Sequence, residues 1–391
     1  MNFSEDQLSD DFHLPTVEVK NELEIPDHTT EKSVALNLMM EDAKHELDRL
    51  NVWVNDVAIH GMDGIDFRDL NVKRHELSIA VPLARGKNKI EVGVLNKTGA
   101  ESYKKTINVY ADAGKEKSDL YIVSLGVSKH HDSQYNLEYA DKDAKDIVST
   151  FKKSPFFEKV HAKTFTNHEV VLENLKDIKP FLSKADINDV VIVFVAGHGV
   201  LDDNFDYYFA SYDMDFNDPA RRGIAYETIE RLLDGIPALK KLLFIDTCHS
   251  GELDKDEIEE STEGETNDDG ELIFRRVGRT VRVKDNPLGL KSTNELMKSL
   301  FTDLRRGTGA TVISSSGGAE YSIEGGQFKN GLFTYCMING LINGKADLDK
   351  NRKINISELQ KYVRDEVRKL SNGTQTPTSR IQNMELDYRL W

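Results

Sequence analysis

The sequence of 391 residues has few cysteines and prolines. Its only two cysteines, Cys248 and Cys336, are far apart, which excludes the dense disulfide framework of a small secreted domain and a cysteine-pair zinc site. With 9 prolines and 26 glycines, the chain is neither collagen-like nor of low complexity. These absences predict a globular intracellular protein whose thiols are reduced.

Long hydrophobic runs and an excess of positive charge are also missing. The longest apolar run, Val190–Ala196, is far shorter than the ~18 residues of a membrane-spanning helix. Residues 1–12 show neither the positive start nor the apolar centre of a signal peptide. The formal charge of −16 repels phosphate backbones and anionic membranes. We therefore expect a soluble cytoplasmic protein with no nucleic-acid and no membrane partner.

The first part of the chain predicts a tail and a small β domain. Residues 1–32 are acidic, and Pro15 and Pro26 interrupt every candidate element, so we predict an acidic tail. Residues 33–113 contain short β-type segments joined by polar turns, which is typical of an immunoglobulin-like β-sandwich. Residues 114–118 have no apolar anchor and are predicted to be a linker.

From residue 119 to 391, apolar strand-like segments alternate with helical ones. This pattern predicts an α/β domain with a mostly parallel sheet and helices on both faces. Ligands of such sheets bind beyond the carboxyl ends of the strands. Two strand-like segments end there in polar clusters, Gly197-His198-Gly199 and Asp246-Thr247-Cys248.

These two clusters supply the groups that acyl transfer needs. A cysteine needs a base to form its thiolate, and histidine, with an ordinary pKa of about 6.5, exchanges protons near neutrality. We predict Cys248 as the nucleophile, His198 as the general acid and base, and the N–H groups of Gly199 and Cys248 as an oxyanion hole. No third residue that would orient the histidine is evident, so the prediction is a dyad. The alternative is a buried structural cysteine and a satisfied turn histidine.

The segments AGHG at 196–199 and DTCHSG at 246–251 resemble the caspase-like cysteine proteases, most closely the metacaspase and bacterial orthocaspase branch. Cys248 follows His198 by 50 residues, a separation typical of caspases, although the caspase pentapeptide around the cysteine is absent. The resemblance covers roughly residues 120–391, and the segment 83–103 is also similar to bacterial relatives that carry WD-repeat propellers. Relatives in stress, cell-death or phage-defence systems suggest gating by a partner or an ion.

The resemblance and the charges together predict cleavage after Arg or Lys. In metacaspases the residue that matches Asp246 lines the pocket for the substrate side chain before the cleaved bond (P1), and a desolvated carboxylate there favours a cation. Asp143, Glu320 and Glu324 are predicted to complete the acidic wall. Solvated positions on a helix face or a loop are an equally open alternative for these three.

A charged insertion is predicted at residues 252–292. Its first part, 252–271, holds eleven acidic residues and one lysine, and the basic segment 275–284 follows. Because the site is predicted to accept Arg or Lys, we interpret the basic segment as a self-cleavage or pseudosubstrate loop. The candidate residues are Arg275, Arg276, Arg279, Arg282 and Lys284. The alternative is a solvated insertion.

The predicted chemistry requires no cofactor and no metal at the catalytic centre. Residues 347–358 match a calcium-binding EF-hand loop at positions 1, 3, 5, 9 and 12, but Arg352 occupies position 6, where the turn favours Gly. We favour the alternative of a loop and N-cap that lead into a helix. Metacaspases often need calcium through paired acidic residues, and Ala225 and Tyr226 stand at the matching positions here. These departures argue against calcium dependence, and a calcium requirement stays an open alternative.

The predicted function is a cysteine endopeptidase that acts on proteins or peptides with a basic P1 residue. The alternative is a non-catalytic caspase-like scaffold or interaction protein. In either case the β-sandwich is the predicted surface for an activating or sensor protein.

Overall fold

The N-terminal part of the chain alternates apolar and polar residues and forms two β-sheets around one core. A computed structural model describes residues 13–113, 117–202, 206–247, 273–274, 309–316, 322–380 and 387–391. The strands of this part are β1 (Thr16–Val19), β2 (His28–Thr29), β3 (Ser33–Glu41), β4 (Leu47–Val54), β5 (Val57–Ala58), β6 (Ile65–Asp66), β7 (Arg74–Pro82), β8 (Gly86–Asn96) and β9 (Lys105–Ala111). One sheet has the order β1-β3-β7 and the other β2-β9-β8-β4-β5, with β6 paired to β4.

Period-two burial explains why these segments form a sandwich. In β3, Val34, Leu36, Leu38 and Met40 face the core, and the residues between them face outwards. Burying one such side chain stabilises the fold by roughly 1.5–3 kcal/mol relative to leaving it in water. The predicted β-sandwich is therefore present, while its immunoglobulin-like character stays a prediction.

The sandwich begins before residue 33, which differs from the prediction of a tail over residues 1–32. β1 pairs antiparallel with β3, and β2 pairs parallel with β9. Val17 and Val19 of β1 are buried in the shared core. Pro15 and Pro26 lie just outside these two strands, where proline removes no ladder hydrogen bond. Residues 1–12 of the predicted tail lie outside the described residues.

The second part of the chain is an α/β domain around a six-stranded sheet of order β11-β10-β12-β16-β18-β21. Its strands are β10 (Leu120–Gly126), β11 (Val160–Thr166), β12 (Val190–Gly197), β16 (Lys240–Thr247), β18 (Thr311–Ser314) and β21 (Thr378–Arg380). All neighbours are parallel except β18 and β21. Shorter strands are β13 (Gly199–Leu201), β14 (Tyr207–Phe209), β15 (Ile224–Ala225), β17 (Ile273–Phe274), β19 (Ile323–Gly325) and β20 (Asn330–Gly331). The predicted mostly parallel sheet is confirmed.

Helices cover both faces of this sheet. The α-helices of the described residues are α1 (Ala140–Phe151), α2 (Leu172–Leu175), α3 (Ile178–Leu182), α4 (Tyr226–Arg231), α5 (Leu332–Ile342) and α6 (Ile356–Leu370). Alternate residues of β12 enter two separate cores, one shared with α1, α5 and α6 and the other with α2, α3 and α4. Double-sided burial explains why β12 is continuously apolar. None of these helices is both long enough and apolar enough to cross a membrane.

The β-sandwich packs against the amino-terminal ends of the parallel strands. Ile187 and Leu239, which shortly precede β12 and β16, belong to the sandwich core. The backbone N–H of Met62 donates to Asp234 Oδ1 at 3.0 Å, close to the start of β16. The sandwich therefore lies at the end of the sheet where the parallel strands begin, opposite to their carboxyl ends.

Asn188 accepts hydrogen bonds from both sides of the junction between the two domains. Its carbonyl accepts a hydrogen bond from Ser118 Oγ at 2.6 Å, and its side-chain oxygen accepts one from the N–H of Arg85 at 2.9 Å. Of the predicted linker at 114–118, residues 114–116 lie outside the described residues, and Ser118 is buried.

Candidate active site

The backbone turns sharply where β12 ends, and this turn presents His198. Gly197 has a φ of +155°, and a Cβ at this position would lie 3.0 Å from the ring of Phe209. A larger residue would therefore be strained. The chain continues directly into β13, where Gly199 pairs with Phe209. His198 is thus held between two strands at the carboxyl edge of the sheet.

The imidazole of His198 has a fixed orientation. Its side chain is almost fully buried, and Nε2–H donates to the carbonyl oxygen of Tyr135 at 2.9 Å. Because a carbonyl oxygen can only accept, Nε2 carries the proton and Nδ1 is the basic nitrogen of the neutral ring. The sequence did not reveal this orienting group, because a backbone carbonyl can belong to any residue type.

A second histidine, His130, packs against the first. The two ring centroids are 5.5 Å apart, and the ring of Phe216 contacts both. His130 Nδ1–H donates to the carbonyl of Ser211 at 3.2 Å. Burial lowers the pKa of His130 to about 4, although Ser211 and Asp132 act in the opposite direction. His130 is therefore neutral at neutral pH and adds no positive charge beside His198.

The neighbouring strand β16 ends level with β12. Thr247 stands opposite Gly197 in the parallel register, and its Oγ1 lies 2.6 Å from the hydroxyl of Tyr207. The carbonyl of Thr247 accepts a hydrogen bond from Ser315 Oγ at 3.1 Å. Cys248, the predicted nucleophile and oxyanion donor, is the next residue and lies outside the described residues. The register brings the two strand ends that precede His198 and Cys248 to the same edge.

The second cysteine is unsuited to nucleophilic chemistry. Cys336 is fully buried in α5, and burial raises the pKa of its thiol well above the ordinary range. A buried neutral thiol is inert, because the thiolate is the reactive form. Cys248 is therefore the better candidate nucleophile.

Two residues of the predicted acidic wall are fully buried around the first turn of α5. Asp246 Oδ2 accepts a hydrogen bond from Thr334 Oγ1 at 2.6 Å. Both carboxylate oxygens of Asp143 accept from the backbone N–H of Gly331 at 3.1 Å. A helix N-terminus stabilises negative charge through its exposed N–H groups and its dipole. The two carboxylates are thus held near one another by the same helix turn.

Glu324, a third residue of that predicted wall, is buried at the start of α1. Its carboxylate accepts hydrogen bonds from the backbone N–H groups of Glu138 at 3.1 Å and Tyr139 at 3.3 Å. The fourth residue, Glu320, lies outside the described residues. That these acidic residues bind substrate stays a prediction.

The EF-hand-like segment forms a cap of α6. Within the described chain, Asp347, Asp349 and Glu358 bring carboxylate oxygens within 4.8 Å of one another. The Glu358 carboxylate accepts from the N–H groups of Leu348, Asp349 and Asn355. It also completes a capping box with Asn355, so the predicted loop and N-cap are present.

The basic segment of the insertion follows a short described strand. Ile273–Phe274 form β17, which pairs antiparallel with β19. The self-cleavage candidates lie outside the described residues; they are Arg275, Arg276, Arg279, Arg282 and Lys284.

His198 follows the end of β12, and Cys248 follows the end of the neighbouring strand β16 in the sequence. The family model described as Caspase domain, Peptidase_C14, matches residues 101–387. The chain therefore belongs to the caspase-domain peptidase family. This confirms the predicted family, whereas the metacaspase and orthocaspase branch stays a prediction.

Similarity to solved structures is more distant. The chain is similar to protein GSU0716 from Geobacter sulfurreducens, at 17% identity and a TM-score of 0.45 over 67% of this chain and 92% of that chain. It is also similar to fibronectin(III)-like modules of Clostridium thermocellum CbhA, at 16% identity and a TM-score of 0.20 over 26% of this chain and 48% of that chain. Neither similarity supports a functional conclusion. A comparison with curated proteins gives no match.

Proposed function

We propose that this chain is a cysteine endopeptidase that uses a His198 and Cys248 dyad and cleaves protein substrates after Arg or Lys. The hydrogen bond from His198 Nε2 to the Tyr135 carbonyl carries this proposal, because it leaves Nδ1 as the base. Membership of the caspase-domain family favours a peptidase over a non-catalytic scaffold.

In the proposed reaction, Nδ1 of His198 accepts the thiol proton of Cys248, and the thiolate attacks the scissile carbonyl carbon. The N–H groups of Gly199 and Cys248 stabilise the resulting oxyanion. Collapse of this intermediate breaks the C–N bond while His198 protonates the leaving amine. Water then hydrolyses the thioester and restores the thiol.

The buried carboxylates support a preference for a basic P1 side chain. The carboxylates of Asp143, Asp246 and Glu324 accept hydrogen bonds at the starts of α1 and α5, and Asp246 lies on the strand that precedes Cys248. A guanidinium or ammonium group can form charge-assisted hydrogen bonds with such carboxylates. An aspartate at P1 would instead be repelled by them.

The test is hydrolysis of matched fluorogenic peptides with Arg, Lys, citrulline or Asp at P1. Citrulline has nearly the shape of Arg without its charge, so it separates electrostatic from steric recognition. We expect release after Arg and Lys, little release after citrulline or Asp, and none from Cys248→Ala. Faster release after Asp would contradict the proposed pocket.

The variant Asp246→Asn tests the pocket directly. Because a hydrogen bond to a charged group contributes about 1.5–3 kcal/mol, we expect kcat/KM for the Arg peptide to fall roughly 10- to 150-fold. The citrulline peptide should be affected much less. Asp349→Asn, which changes an exposed carboxylate far along the chain, is the matched control. Equal losses for both peptides would assign Asp246 a structural role only.

We further propose that a partner or an ion gates the peptidase. If the purified chain is slow on every peptide, a thiol-reactive probe separates a gated enzyme from a scaffold. A gated enzyme should be labelled at Cys248 and not at the buried Cys336, and His198→Ala should reduce this labelling. Labelling of Cys248 that does not depend on His198 would favour the scaffold alternative.

A further inference from the structure

A groove of about 600 Å³ lies between the helices α2 and α3 on one side and the end of α4 on the other. From Leu172 through Leu175 to Ser183, the residues that line it recur at the spacing of a single helix face. Leu175 and Leu232 are buried and belong to the core beneath, whereas Leu172 is 41% exposed. The groove therefore has an apolar floor that continues the core and an apolar wall in contact with water.

Three cations surround this apolar surface: Lys176, Lys179 and Arg231. All three are exposed, and none forms an ion pair with any residue that the structure describes. The acidic residues of the same helices and their connections do not line the groove; they are Glu173, Asp177, Glu227 and Glu230. The rim is therefore locally basic, although the whole chain has a formal charge of −16.

We propose that this groove is the docking site for an amphipathic helix of a protein partner, whose apolar side chains contact the floor and whose carboxylates face the basic rim. Apolar grooves accept such helices through side chains spaced three and four positions apart. Charge complementarity at the rim selects an acidic partner, because a basic residue placed there would be repelled. At the helical rise, the segment from Leu172 to Ser183 spans roughly 16 Å, which about three turns of the partner would cover.

A protein helix fits the groove better than a lipid surface or a nucleic acid does. An apolar centre inside a charged rim is the usual anatomy of a protein interface. A ridge of helix side chains can enter a concave floor such as that formed by Leu175 and Leu232, whereas a flat bilayer surface cannot. The formal charge of −16 also repels anionic membranes and phosphate backbones.

The test measures the binding of a labelled peptide to the full chain that carries Cys248→Ala, so it requires no peptidase activity. The probe is a fluorescein-labelled peptide of about 14 residues, with leucines spaced three and four positions apart and glutamates beside them. A scrambled peptide of the same composition has the same charge but no apolar face. We expect a saturable rise in fluorescence anisotropy for the amphipathic peptide only.

A pair of charge-reversed variants locates the binding at the rim. Lys176→Glu combined with Arg231→Glu should weaken binding roughly tenfold or more, because both positions then repel the carboxylates of the peptide. The matched control combines Lys152→Glu with Lys153→Glu, which change two exposed lysines after α1, a helix that packs on the other face of the sheet. The control variant should bind the peptide like the parent.

A pair of leucine variants locates the binding at the apolar wall. Leu172→Ala should weaken binding severalfold, because it removes apolar surface that the peptide would cover. Leu348→Ala, which changes a leucine of nearly equal exposure in the loop before α6, should bind like the parent. Since all the substituted residues are exposed, urea unfolding should give each variant the midpoint of the parent.

Several results would overturn the proposal. One is the absence of saturable binding up to about 1 mM amphipathic peptide, and another is equal binding of the scrambled peptide. Equal losses in the rim variant and its lysine control would show attraction to the general surface. A dimer that the rim variant abolishes would assign the groove to a second copy of the chain. Binding to phosphatidylserine vesicles that the rim variant abolishes would assign the groove to a membrane surface.

Discussion

Burial of His130 against His198 should make the stability of the fold sensitive to acid. Replacing His130 should remove that sensitivity. His130 is buried against His198, Phe216 and the carbonyl of Ser211, with Asp132 as the nearby charge. Burial lowers the pKa of His130 from 6.5 to about 4. Folding therefore favours the neutral ring, and His130 destabilises the fold only where the unfolded histidine is protonated.

The magnitude follows from the two pKa values. Near pH 7.5 the ring is neutral in both states, so it contributes no pH-dependent term. Near pH 5 the unfolded ring is almost fully protonated and the folded ring is mostly neutral, which lowers the free energy of unfolding by about 2 kcal/mol. Stability should thus fall as the pH decreases through 6.5 and level off below 4.

Urea unfolding of the Cys248→Ala chain near pH 7.5 and near pH 5 measures this effect. In His130→Asn, whose amide can still donate to Ser211, the loss on acidification should be about 2 kcal/mol smaller than in the parent. His131→Asn, which changes the exposed neighbouring histidine, should behave like the parent. Equal losses in all three chains would refute a neutral buried His130.

Further predictions concern the interface, the buried lysine and the helix cap. Asp234→Ala removes the acceptor of the Met62 N–H and should lower the free energy of unfolding by about 1–2 kcal/mol. The kcat/KM for an Arg peptide should stay unchanged, because this contact lies at the end of the sheet opposite to His198. A loss of activity without a loss of stability would contradict that placement. Burial lowers the pKa of Lys241 from 10.5 to about 8, so the fold should gain stability as the pH rises from about 8 to 10.5. Lys241→Met should raise stability at neutral pH by roughly 1–3 kcal/mol in urea unfolding, and this gain should shrink as the pH approaches 10.5. Asn355→Ala breaks the capping box of α6 and should lower the unfolding free energy by about 1 kcal/mol. Calcium should leave the Tm of the Cys248→Ala chain unchanged relative to chelator, because Glu358 already accepts three backbone N–H groups; a rise in Tm that Glu358→Gln abolishes would show a calcium site.

The sequence was sufficient for the parts of the fold that depend on local patterns. The apolar run of β12, followed at once by Gly197, His198 and Gly199, predicted both a buried strand and a functional histidine at its end. The short β-type segments after residue 33 and the polar turns between them likewise predicted the sandwich. β1 was missed because it is short, contains Glu18 and directly follows Pro15, and because it is stabilised by pairing with β3 and by burial in the shared core.

The missing parts of the site depend on contacts between distant residues. Tyr135 acts through its carbonyl, 63 positions from His198, so its side chain carries no signal. His130 is one of two adjacent histidines, and only the folded chain shows which of them is buried. The partners of Asp143 at the start of α5 lie 187 and 188 positions away. A single sequence contains the residues of such contacts but not their pairing.

If the proposed peptidase holds substrates on the β-sandwich, the position of the sandwich limits where those substrates can be cut. The eight residues of β12 run from the sandwich side of the sheet to His198, which at ~3.3 Å per residue is about 26 Å. A protein bound there would reach the proposed dyad only through an extended segment of at least about eight residues. Under this proposal, tightly folded proteins are bound without being cleaved, whereas proteins with long extended tails are trimmed.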